Sequence, residues 1–241
     1  MSGRTLLANA GQLAATRMQP GDIALLGESF YPGGLTTAGS GTITGAMVAA
    51  GLLRRTGPGA GFTDTLDTAT NILTALGLLN AAGSTAAQWG NGLSDASPGA
   101  TFRFRYILGV AFAMTWNATP PEGVIYDTAG GSGFGILGVA GNWRDYLFTI
   151  LNTTPRQSLQ VTSVNANANV TLVTPVPPGT ITPGMWLSGT NVTTATTVLG
   201  VTQGPAGITG FTMSANATGS GTQAWVFSPV ISVANLGSGV L

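Results

Sequence analysis

The chain has 241 residues, 37 of them glycine, with eight arginines balanced by eight acids and no lysine, histidine or cysteine. That inventory excludes a Ser-His-Asp triad, a thiolate nucleophile, a lysine Schiff base, a P-loop lysine and a zinc site of the usual nitrogen and sulfur ligands. Charged residues make up 7% of the chain, against roughly 25% in an ordinary soluble domain, and zero net charge argues against counterion-release binding to nucleic acid and for association with other protein surfaces.

Residues 1–60 are rich in Gly and Ala, with turn signals at Pro20-Gly21, Pro32-Gly33-Gly34 and Gly57-Pro58-Gly59. A short amphipathic helix is predicted over Leu6–Arg17. The rest of the segment reads as an extended N-terminal arm that lies along another subunit or a partner. No apolar core of signal-peptide length occurs at the start. The longest apolar stretch, Ile107–Trp116, is about half the ~20 residues a membrane helix needs, so no membrane contact is expected.

Residues 61–156 carry most of the large side chains and form the predicted main domain. Asp64-Thr65-Leu66-Asp67 precedes Ala69, Ile72, Leu73, Leu76 and Leu79, a spacing that predicts one short helix with an acidic start and Asp64 or Thr65 as its cap. Thr101–Tyr106 alternates strictly, with Phe102, Phe104 and Tyr106 on one face and Thr101, Arg103 and Arg105 on the other, which is the signature of a half-buried strand. Val110–Trp116 and Gly123–Tyr126 read as further strands. Trp143–Leu151 is another, placing Arg144, Tyr146, Phe148 and Ile150 opposite Trp143, Asp145, Leu147, Thr149 and Leu151. Several short strands separated by turns predict an all-β fold, a β-sandwich or jelly-roll-like domain.

Residues 157–241 contain no Asp, Glu, Lys, Arg, His, Tyr or Cys. Runs such as Leu159–Val164 and Asn169–Val173 have the β-branched content of strands, and the prolines at 175, 177, 178, 183 and 205 exclude a long helix. Met185, Trp186, Phe211, Met213, Trp225 and Phe227 supply a core, so 157–225 reads as a second, small, uncharged β module rather than a linker. The strand Val226–Val233 is expected to complete the main domain, which would make the module an insertion. Two sandwiches in tandem are the alternative.

Four segments carry a resemblance: Gly51-Leu52-Leu53-Arg54-Arg55-Thr56-Gly57-Pro58, Phe62–Ala69, Gly99-Ala100-Thr101-Phe102-Arg103-Phe104, and Asn142-Trp143-Arg144-Asp145-Tyr146-Leu147. Together they resemble a pattern common in structural proteins of tailed bacteriophages, including head decoration (cement) proteins and head or tail fibre proteins. Pro183–Val192, Thr196-Thr197-Val198 and Phe211–Ser214 resemble a second small β module of phage virion proteins. The resemblance implies a virion location, a homotrimer around a β-rich body, the major capsid protein or another virion protein as partner, and no catalytic residues or cofactor.

Carboxylates are the remaining catalytic equipment, in the sets Asp64 with Asp67 and Glu122 with Asp127 and Asp145. A glycosidase would need two of them about 5 to 9.5 Å apart in a cleft. Asp64 and Asp67 read instead as helix-start residues, and Asp145 as a strand-surface ion or an inter-subunit pair. No D-x-D-x-D-G loop supports calcium. The glycines at 130, 131, 133 and 135 lack the lysine and βαβ context of a phosphate loop and read as a turn. The five Asn-X-Thr sequences, at Asn117, Asn152, Asn169, Asn191 and Asn216, read as chance in a threonine-rich chain. Arginine without lysine is a bias toward interfaces, where its planar fork makes paired hydrogen bonds. The candidate interface residues are therefore Arg54, Arg55, Arg103, Arg105, Arg144 and Asp145. The function expected is capsid decoration by a trimer that binds the outer lattice and stabilises the head, with a tail fibre, collar or baseplate role in host attachment as the alternative; no enzyme activity is expected.

Overall fold

A computed structural model describes residues 29–30, 34–78, 99–127 and 140–240. The helix expected over Leu6–Arg17 and the Gly130–Gly135 turn lie outside the described residues. The protein is all-β, with 15 strands in three sheets and two short helices among the described residues.

The body starts with β1 (Ser29–Phe30), β2 (Thr42–Ile43), α1 (Gly45–Ala49), β3 (Gly51–Arg55), β4 (Phe62–Leu66), α2 (Ala69–Ala75), β5 (Thr101–Leu108) and β6 (Met114–Trp116). Through these elements the chain alternates between two sheets. The odd strands β1, β3 and β5 pair in parallel in one sheet, and the even strands β2, β4 and β6 pair in parallel in the other. Next come β7 (Val124–Asp127) and β8 (Asn142–Asn152), which with the last strand, β15 (Val230–Val240), extend the first sheet to the order β1-β3-β5-β8-β15-β7. The two sheets and both helices close over one core, in a sandwich-like arrangement. Leu53, Phe104, Tyr106, Tyr146 and Phe148 enter it from the large sheet, Ile43, Leu66 and Met114 from the small one, and Val48, Ile72 and Leu73 from the helices.

The alternation of Thr101–Tyr106 has the expected outcome: Phe102, Phe104, Tyr106 and Leu108 are buried while Arg103 is exposed. β5 and β8 pair antiparallel with Phe102 opposite Phe148 and Phe104 opposite Tyr146. The Phe102 and Phe148 rings stack at 4.9 Å, the kind of cross-strand aromatic pair that pins register.

Several expectations are corrected. The helix begins at Ala69, with Thr68 as its cap accepting from the Asn71 amide. Asp64 and Thr65 are not its cap, because Phe62–Leu66 is strand β4, with Asp64 turned inside. A second helix, α1, occurs where none was expected. It is short and rests on α2 through Gly45, where a Cβ would fall 2.4 Å from the Asn71 carbonyl oxygen, so only glycine permits the approach. Residues 35–60 are not a free arm: Ile43, Val48, Leu53 and Arg55 are wholly buried in the body. The strand expected over Val110–Trp116 is reduced to Met114–Trp116.

The uncharged segment folds as β9 (Gln157–Ser163), β10 (Asn169–Val176), β11 (Trp186–Ser188), β12 (Val198–Gly204), β13 (Gly207–Met213) and β14 (Gly221–Ser228), an antiparallel sheet in the order β11-β14-β9-β10-β13-β12. It has no charge to place, and its centre is apolar. Trp225, Phe211 and Phe227 form its centre, with Phe211 edge-on to Phe227 at 5.1 Å, and Val161, Met185 and Ile208 around them. The chain leaves the body after β8 and returns at β15, which pairs antiparallel with β8 from Val230 opposite Asn152. The return starts at Val230. Val226 and Phe227, expected in the body, belong to β14 of the second sheet, opposite Ser158 and Gln157.

Candidate functional site

Charge is scarce in this chain, so its placement defines the candidate sites. The deepest constellation centres on Arg55 and Asp64, both with side chains fully out of solvent. Strand β3 presents Arg55 inward because it is one residue from Arg54, which points out. Arg55 Nε donates to Asp64 Oδ2 at 3.0 Å and Nη2 to Oδ1 at 3.3 Å. Its remaining donors satisfy the carbonyls of Leu35, Thr37, Thr56 and Gly39. Asp64 also accepts from the Gly41 amide at 2.8 Å and the Tyr106 hydroxyl at 2.9 Å. The guanidinium thus fastens segment 35–39, strand β3 and strand β4 together, and it lies 4.8 Å over the Phe62 ring. Burial, followed by the neighbouring Asp64 charge, pushes the Tyr106 hydroxyl far above its ordinary value, so it stays a donor.

The second constellation lies on the outer face of the large sheet. Asp145 sits opposite Arg105 in the β5–β8 register. Arg105 Nε donates to Asp145 Oδ1 at 2.7 Å, its Nη2 donates to Oδ2 at 3.0 Å, and Arg103 Nη2 also donates to Oδ2. The Arg105 guanidinium lies 4.2 Å over the Trp143 ring. Gly239 of β15 gives that ring room, since a Cβ there would fall 2.6 Å from it. Burial alone would raise the Asp145 carboxyl, but the hydrogen bonds and charges of Arg105 and Arg103 outweigh it and hold the group below the usual carboxylate range.

The third constellation joins the two sheet systems. Glu122, in the turn before β7, accepts from Arg156 Nε at 2.8 Å and from the Ser228 hydroxyl. Arg156 immediately precedes β9, and Ser228 ends β14. Burial alone would raise the Glu122 carboxyl, but hydrogen bonds from Arg156 and Ser228 and the Arg156 charge hold it below its ordinary value. Beside it, Asn152 Nδ2 donates to Thr182 Oγ1 at 2.9 Å and to the Pro183 carbonyl at 3.0 Å.

The six candidate interface residues therefore separate. Arg103, Arg105 and Asp145 come together and share the outer face. Arg54 projects from β3 on that face, exposed. Arg144 is on the core side of β8, hydrogen-bonded with Tyr146, so Asp145 pairs across strands and not with its neighbour. Arg55 is not at the surface at all, because all its donors are consumed inside the body. The described carboxylates of those sets other than Asp127 are each bound by donors of the chain itself. Asp64 is held by Arg55, Asp67 accepts from the Gly45 and Thr68 amides and from Asn71 Nδ2, and Asp145 and Glu122 are each held by arginine. Among the described residues no group of three His, Cys, Asp or Glu is placed to hold a metal ion. The sequence offers no signal for Ser228, and for Asn152 and Tyr106 it offers only an Asn-X-Thr triplet and a core-facing strand position; their spatial partners give all three their roles. No protein-family model, no curated protein and no solved structure matches this chain.

Proposed function

We propose that the protein is a structural component of a bacteriophage particle, a decoration (cement) protein that binds the outer capsid lattice as a homotrimer and stabilises the head. One observation supports the reading above the others: the described carboxylates, with the exception of Asp127, are all bound by arginine side chains or by backbone and side-chain donors of the chain itself. Carboxylates held in this way act as fasteners, since a general acid or base needs a proton free to exchange with substrate. The surface of the second sheet is composed of uncharged residues, many of them Thr, Asn and Gln. Such a surface contributes contacts with little desolvation of ions. Repetition of one modest contact by particle symmetry then supplies avidity.

The test is sedimentation of the purified protein, followed by electron microscopy of phage heads lacking it after it is added back. The reading requires a trimer and density at regular positions on the outer lattice. A monomer that ignores heads, or density confined to the tail, overturns it.

A further inference from the structure

We propose that the outer face of the large sheet, where β3, β5 and β8 lie side by side, docks a different protein through a surface on which carboxylates stand among apolar side chains. The proposal rests on the particle-binding reading above and names the face that meets the particle and the chemistry it meets.

The first observation is the composition of β8. A sheet with one face in water alternates apolar and polar side chains, whereas a strand covered on both faces is apolar on both. The inner face of β8 is Tyr146, Phe148 and Ile150, and its outer face holds Trp143, Leu147 and Leu151. The strand therefore has the composition of one covered twice, yet Leu151 is 40% exposed, and Trp143 and Leu147 are only half-buried. β3 and β5 continue the apolar surface with Leu52 and Ile107, both half-buried.

The second observation is charge, which selects the occupant. The strand register sets Arg54 opposite Ile107, Arg105 opposite Leu52 and Arg103 opposite Leu147, so each arginine on this face has an apolar neighbour across the strand gap. Three of the chain's eight arginines share the area with a single carboxylate, Asp145. Asp127 falls on the same side of the sheet but on the edge strand β7, beyond β15. Arg54 is exposed, and the Arg103 side chain is 42% exposed. Covering these guanidinium groups with an uncharged surface would desolvate them without return. A partner carboxylate answers them, and the planar fork of arginine suits it. A second copy of this chain is poorly equipped for the role, since its described carboxylates, Asp127 excepted, are held by its own donors. In such a contact the charges set orientation and encounter rate, and the apolar neighbours supply the buried area.

The probe is a glutamate–tyrosine copolymer, acidic and aromatic, with a lysine–tyrosine copolymer as the charge control, each mixed with the full chain and followed by sedimentation velocity. The wild type binds the acidic copolymer in preference to the basic one, and less as salt rises. Replacing Arg54→Gln and Arg103→Gln together weakens that binding by about tenfold or more and keeps the circular dichroism melt, because Arg105 still holds Asp145. Arg156→Gln, which removes a cation away from this face, leaves binding unchanged. Equal binding of both copolymers, no binding of either, or an R54Q/R103Q variant that binds no worse than R156Q overturns the proposal. Wild-type oligomers that dissociate in R54Q/R103Q assign the face to a second copy and also overturn it. Phage heads separate the two readings: heads decorated equally by the wild type and R54Q/R103Q overturn this face and leave the head reading standing, whereas heads ignored by a wild type that binds the acidic copolymer overturn the head reading and leave the face.

Discussion

Replacing Asp64 by Asn is the sharpest perturbation of the body. It keeps the shape but removes the charge that balances Arg55, and both side chains are fully buried. A buried cation left without its counter-ion costs about 3–5 kcal/mol. The wild-type carboxylate also accepts from the Gly41 amide and the Tyr106 hydroxyl, and those bonds weaken when the acceptor is neutral. For a chain of this size a loss of 1 kcal/mol lowers the melting midpoint by about 2–4 °C, so the transition of the body should fall by about 10 °C. The usual remedy for a buried ion pair, replacing both partners by apolar residues, does not work here. Arg55→Met with Asp64→Leu would strand the carbonyls of Thr37, Gly39 and Thr56, each about 1 kcal/mol or more if left unpaired, while the Leu35 carbonyl would keep the Thr56 amide. Scanning calorimetry of the single and double variants measures both effects. If D64N loses less than about 1 kcal/mol, or if the apolar double variant matches the wild type, Arg55 does not hold the segments together as described.

Acid should act first through Asp145 and Glu122. Both carboxyls are held below their ordinary values in the folded state, so the stability they contribute is present above their unfolded values of about 4 and is lost as pH falls toward the lowered folded values. Asp145→Asn should therefore flatten the acid side of a stability-against-pH curve measured by denaturant titration; an unchanged slope would contradict the pairing with Arg103 and Arg105. In base, Tyr126, raised by burial to about 12, should ionise late in an ultraviolet titration, and any stability linked to it should fall as pH rises from about 10 toward 12. Gly123→Ala should destabilise the junction by about 1–3 kcal/mol in urea, since its φ is +75° and a Cβ would lie 2.2 Å from the Pro229 carbonyl oxygen; a neutral result would mean that the turn shifts freely. Trp225→Ala should cost the second sheet about 3–5 kcal/mol and remove the indole donor to the Thr190 carbonyl at 2.8 Å, with the denaturation midpoint as the readout.

The elements legible in the sequence were those whose side chains alternate in one stretch. β5 announces itself, because Phe102, Phe104 and Tyr106 alternate with Thr101, Arg103 and Arg105, and β8 does so through Tyr146, Phe148 and Ile150 on one face, although Trp143, Leu147 and Leu151 make its other face apolar too. The same period carried information about the arginines. If Gly51–Arg55 is a strand, Arg54 and Arg55 must face opposite ways, as Arg144 and Asp145 do on theirs, so one member of each pair turns toward the core and the four cannot share one surface. Asp64 was misassigned to a helix because Asp, Thr and Ser before an apolar run are the ordinary start of one. The fact that overrides this, a partner at Arg55, lies nine residues upstream and leaves no local trace. The burial of Ile43, Val48, Leu53 and Arg55 was equally hidden, since parallel pairing to strands far along the chain has no short-range signature. The composition of the second sheet signalled β structure, but its last strand was assigned across the boundary. Val226, Phe227, Val230 and Ile231 look alike as residues, and only the strand partners on either side of Pro229 distinguish them.

The two crossings between the sheet systems have a mechanical consequence. β8 departs from the body and β15 re-enters it as direct antiparallel neighbours, with Val230 opposite Asn152, while Gln157 and Phe227 are paired at the base of the second sheet. Both ends of the uncharged unit therefore meet the body at one spot, like the two prongs of a plug in a socket. The length of chain between those two points is therefore free of the body's register, while the bonds of Glu122 to Arg156 and Ser228 and of Asn152 to Thr182 and Pro183 fix how the unit is seated.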